Sequence, residues 1–72
     1  MPNYVINKNS QSNGDHEIHN TTSGCSFMPN PENRIDLGYH DSCHGAVIAA
    51  KAQWPNNKIN GCYYCCNACH TS

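Results

Sequence analysis

A small α+β fold braced by its own cysteines is what this chain predicts, and three observations predict it. Two β-prone runs, YVIN at 4–7 and HEIH at 16–19, flank a polar stretch holding the turn signal Asn13-Gly14. Apolar residues at helical spacing follow over 41–53 and stop before Pro55. Four of the six cysteines then fall within eight positions, in the tail CYYCCNAC. The brace is needed because 72 residues bury little apolar surface, and a hydrophobic fraction of 38% already counts the cysteines.

The elements follow in order along what reads as one domain, residues 1–72. The two β-prone runs form a hairpin in which Ile18 faces inward while Glu17 and His19 face the other way. Residues 20–34 are turn-rich, and Cys25, Phe27 and Met28 are their candidate anchors. IDLGY at 35–39 predicts a third strand. The helix over 41–53 takes Asp41 or Ser42 as N-cap, and Pro55 bars its continuation past Trp54. Its core stripe is Cys43, Val47, Ala50 and Trp54, at steps of four, three and four. Gly45 weakens the first turn, as expected where another segment passes close by. NNKINGC then runs extended into an Asn60-Gly61 turn that delivers Cys62.

Charge narrows the function classes. The net charge is −1, and Lys8, Arg34, Lys51 and Lys58 are scattered, so nucleic acid is a less favoured partner than protein. No cationic start followed by an apolar run marks a leader, and no stretch is long and apolar enough to span a membrane. The expectation is a monomer in the cytoplasm, where thiols stay reduced.

In that setting the cysteines read as metal ligands. A CxxC turn presents two sulfurs to one ion, and structural zinc takes four tetrahedral Cys or His ligands. Cys62 and Cys65, preceded by Gly61, supply one pair; His19 and Cys25 supply the other and tie the floppy loop to the tail. Thiolate-rich ligation selects Zn²⁺ over magnesium or calcium. One zinc is expected. Cys66 and Cys69 compete for the knuckle or, with His70 and either Cys43 or His44, build a second site. Cys43 also reads as a small buried hydrophobe on the helix stripe, and His44 in the first helical turn is disfavoured as a cation by the macrodipole. A disulfide scaffold is opposed by the adjacent Cys65 and Cys66, five histidines and the missing leader. Redox or hydrolytic catalysis lacks the helix-opening CxxC or the cleft that it needs, so an enzyme is not expected.

The pieces LGYHDSCHGAVIAA and GCYYC, with His19 and Cys25 upstream, resemble the metal-binding domain of Ada-type DNA repair proteins. The whole chain also resembles a small bacterial zinc-binding family with a GCxxCCxxCH tail. The Ada resemblance implies a zinc site built from an upstream pair and a terminal knuckle after a short helix. In the Ada family a zinc-bound cysteine thiolate accepts a methyl group from DNA phosphotriesters. This chain departs from it in using a histidine upstream and in being less basic, so the site layout carries over and the reaction does not. The expected role is therefore a non-enzymatic structural-zinc domain that binds a protein. Exchangeable zinc handling, thiol sensing or an Ada-like thiolate are the alternatives.

Overall fold

The computed structural model describes residues 1–70. Strands β1 (Asn3–Asn7) and β2 (Asp15–Asn20) form the expected hairpin, with Ile6 opposite Ile18 and Val5 opposite His19. Gly14 closes the turn at φ 91°, a conformation that glycine adopts without strain. Strand β3 (Arg34–Tyr39) adds antiparallel to β1, with a register shift between Tyr4 and Val5. After helix α1 (Cys43–Gln53) the chain returns as β4 (Lys58–Gly61), which pairs parallel to β2. The sheet order is β3-β1-β2-β4, and with the single helix the chain is α+β. Short 3₁₀ turns lie at Pro31–Asn33 and Asn67–Cys69. No helix among the described residues is long and apolar enough to cross a membrane.

The helix packs its Cys43, Ala46 and Ala50 on Tyr4, Ile6, Ile18 and Leu37, with Val47 and Trp54 at the margin. Cys43 and Ala50 keep their expected places on the stripe, and Ala46 rather than Val47 fills its centre. Ser42 stands at the N-cap position without a side-chain hydrogen bond to the helix amides. The segment that passes close to Gly45 is the His40 side chain: a Cβ there would sit 3.1–3.3 Å from three of its atoms, which would have to give by a few tenths of an ångström.

His19 faces away from Ile18, as expected, yet it too is fully buried. Both faces of the sheet are therefore covered at this end. Asn60 and Gly61 do not make a turn but end β4, because pairing with β2 extends them. Gly61 is needed for another reason: a Cβ there would lie 2.7 Å from the Cys66 carbonyl oxygen and from Cys69 Cβ. The tail folds back directly over it.

The loop after β2 is held by polar groups more than by the anchors expected of it. Thr21 Oγ1 donates to Asn3 Oδ1 at 2.7 Å, the Asn3 amide donates to Thr22 Oγ1 at 3.0 Å, and Asn20 Oδ1 accepts from the Thr22 and Ser23 amides at 3.0 Å each. Phe27 is exposed, and instead of entering the core it stacks on Tyr64 with ring centroids 4.4 Å apart.

Candidate metal centre

The parallel pairing of β2 with β4 decides what meets at this end of the sheet. The Cys62 amide donates to the Ile18 carbonyl at 2.9 Å, which sets Cys62 beside His19 just as β4 ends. The chain then turns tightly, the Cys66 amide donating to the Cys62 carbonyl at 2.8 Å, and swings Cys65 back toward the same point. From the other side, Gly24 (φ 78°) turns the loop after β2 so that Cys25 arrives.

The ligand atoms of His19, Cys25, Cys62 and Cys65 all lie within 4.8 Å of one another. The Cys25 and Cys62 sulfurs are 3.7 Å apart, and Cys65 Sγ is 3.6 Å from His19 Nδ1. Two thiolates on one tetrahedral zinc stand about 3.8 Å apart, and a thiolate and an imidazole nitrogen about 3.6 Å, given the usual Zn–S and Zn–N lengths. Both observed pairs match. The set is geometrically suited to a metal ion.

The surroundings suit an anionic cluster. The Asn20 amide points at Cys65 Sγ from 3.4 Å. Burial pushes the Cys62 thiol up, opposed by hydrogen bonds from the Cys65 and Tyr64 amides. Burial likewise pushes Cys65 well up, with the Asn20 amide acting against it. Without a cation these thiols stay protonated, and an ion binding there must displace their protons. Burial, and secondarily the Arg34 charge, lower the His19 pKa, which keeps the imidazole neutral as ligation requires. His19 Nε2 is buried without a hydrogen-bond partner, and the nearest carboxylate oxygen, Glu17 Oε1, is 3.7 Å away. With Nδ1 turned to the sulfurs, the Nε2 proton faces Glu17.

The other cysteines and histidines part from the sequence expectation. Cys43 and Cys69 are joined by a disulfide, so only Cys25, Cys62, Cys65 and Cys66 are free thiols. Cys43 in the first turn of α1 and Cys69 in the final 3₁₀ turn meet inside the core with Cα atoms 6.3 Å apart, within disulfide reach. Cys66 is buried, its thiol pushed up to about 11 mainly by burial. His70 Nδ1 lies 3.0 Å from the Gly61 carbonyl oxygen. The structure thus does not gather Cys43, Cys66, Cys69 and His70 into one site. The second group it gathers is Cys43, His44 and Cys69, again within 4.8 Å. His44 belongs to it despite its unfavourable place in the first turn of α1; the only signal in the sequence was its adjacency to Cys43. His16 and His40 spend a ring nitrogen on the carbonyls of Asn7 and Leu37, at 3.1 and 2.7 Å.

The knuckle's outer surface is aromatic. Tyr63 and Tyr64 are exposed and meet edge to face at 5.2 Å, and Phe27 covers Tyr64. Beneath this pair a cavity of about 240 Å³ opens onto Cys25 and Cys65, the two half-buried members of the quartet. No family model, curated protein or solved structure matches the chain.

Proposed function

We propose that the protein is a structural-zinc domain in which one Zn²⁺ is held by His19, Cys25, Cys62 and Cys65, and that it serves as a non-enzymatic module for binding a protein. The observation that carries this reading is the paired separation of 3.7 and 3.6 Å across the quartet, which fits one tetrahedral ion. Four protein ligands leave no open coordination position, so the metal braces the fold without binding a substrate. Exposed Phe27, Tyr63 and Tyr64 supply rigid aromatic contact area on the loops that the metal fixes, the residue types that anchor protein interfaces. The sparse positive charge supports a protein partner over nucleic acid.

Native mass spectrometry of protein with the Cys43–Cys69 disulfide intact, before and after chelation, tests the metal. One tightly held zinc per chain, lost together with folded structure, supports the reading. Folded protein without bound metal overturns it.

A second reading is favoured by the cavity beside Cys25 and Cys65. Solvent access to two ligand sulfurs suits a zinc that exchanges, as in a metal-handling or thiol-sensing protein, or an accessible thiolate of the Ada type. Exchange of bound zinc against an isotopically labelled pool separates the two: minutes favour handling, and days favour the structural module.

A further inference from the structure

The group Cys43, His44 and Cys69 lies apart from the quartet, where the start of α1 meets the last 3₁₀ turn. Its two sulfurs are bonded to each other and buried, and its imidazole is exposed beside them. We propose that this group is a second metal site gated by oxidation: when the Cys43–Cys69 disulfide is reduced, the two thiolates and His44 take one thiophilic divalent ion such as zinc.

Three features carry this. The donor atoms already lie within 4.8 Å of one another, so the backbone need not move to assemble the site. The sulfurs need only part from bonding distance to the roughly 3.8 Å that a shared tetrahedral ion demands, a matter of side-chain rotation. His44 gives up little to ligate, since its Nδ1 contact with the exposed Ser42 hydroxyl is long, at 3.5 Å. The donor set, two thiolates and one imidazole, is one that zinc occupies elsewhere with an open fourth position. That position borders a groove of about 250 Å³ lined by His44, Val47, Ile48, Ala68 and Cys69, which admits water or an incoming ligand. The site is thus of the open, exchangeable kind, in contrast to the closed quartet.

The chemistry balances with a dithiol as reductant. The dithiol gives two electrons to the Cys43–Cys69 bond and closes to its own disulfide, and its two protons pass to the Cys43 and Cys69 sulfurs. The ion then displaces those protons, two per metal bound. Either way a link joins α1 to the tail, as a covalent bond when oxidised and as a metal bridge when reduced.

The test uses the full chain, oxidised or reduced with a dithiol and desalted without air, then titrated with zinc. Native mass spectrometry should find one more zinc per chain in the reduced protein. His44→Ala, at an exposed position, should keep the circular dichroism spectrum and bind that extra ion at least tenfold more weakly. Zinc should also shield Cys43 and Cys69 from N-ethylmaleimide in the reduced protein but not in His44→Ala, as read by peptide mapping. Equal zinc counts in both oxidation states overturn the proposal. So does an extra ion that ignores His44→Ala, or alkylation of Cys43 and Cys69 that zinc leaves unchanged. The peptide map reads these two cysteines separately from Cys25, Cys62 and Cys65, so failure at one centre is not mistaken for failure at the other.

Discussion

Cys62 and Cys65 both bring their sulfurs to His19 and Cys25, whereas Cys66 and Cys69, identically spaced, part company. Cys66 stays a free buried thiol beside Cys65, and Cys69 crosses to the helix to bond Cys43. A CxxC spacing permits a knuckle without making one; the chain on either side decides. The first motif leaves β4, whose ladder with β2 aims Cys62 at His19. The second begins inside the fold-back over Gly61, with Cys66 and Cys69 both in the core under α1. One half of the tail is therefore braced by donor atoms that suit a metal, and the other by a covalent bond.

Removing the metal should break this comparison most severely. Structural zinc in small domains contributes on the order of 10 kcal/mol, as much as the whole stability of many domains. Chelation, or Cys62→Ser, should abolish amide dispersion in a proton–nitrogen NMR spectrum. A well-dispersed spectrum after complete chelation would make the quartet a thiol pocket and leave the disulfide as the main brace. The second brace should matter less. Cys43→Ala with Cys69→Ala opens a link across 26 positions, and the urea midpoint should fall by the equivalent of about 3 kcal/mol. A loss as large as that on chelation would mean that the two braces fold as one unit.

A smaller change just ahead of the first motif sharpens the same point. In Gly61→Ala the new methyl meets Cys66 oxygen and Cys69 Cβ at 2.7 Å, both fixed by the fold-back. Overpacking of this kind costs about 2 kcal/mol, which thermal denaturation of the zinc-loaded protein would register. Because Cys62 follows directly, zinc affinity should fall as well. An unchanged melting temperature would show that the tail moves off Gly61 freely.

How far all this was legible depends on whether the signal was local. The hairpin announced itself through Asn13-Gly14, and the helix through its spacing and Pro55. The quartet was readable because each half is local: a knuckle after glycine, and a His and a Cys bracketing a loop that needed holding. The parallel pairing of β2 and β4 was not, since β4 is the four residues KING with a single large apolar side chain, and nothing in it names a partner. Nor was the Cys43–Cys69 bond, because no local pattern selects a pairing across 26 positions. The burial of His19 was not legible either: alternation gives its face, and only the fold shows that this face is covered.

The smallest effect should come from Glu17. His19 Nε2 is buried without a hydrogen bond, with Glu17 Oε1 3.7 Å away. A metal held by Nδ1 would draw electron density from the ring and make Nε2–H a stronger donor, so the carboxylate would close on it and fix the ring for ligation. Glu17→Gln keeps the size and removes the charge. Zinc affinity should then fall roughly tenfold, the low end for lost partners of metal-bound histidines, with the circular dichroism spectrum unchanged. A competition titration against a chromophoric chelator resolves that difference. The same substitution should leave the susceptibility of the Cys43–Cys69 bond to reduction untouched, because Glu17 acts only through His19. If affinity holds, packing alone orients the imidazole and the carboxylate is a bystander. If the disulfide also becomes easier to reduce, the two halves of the tail are coupled through the sheet rather than braced independently.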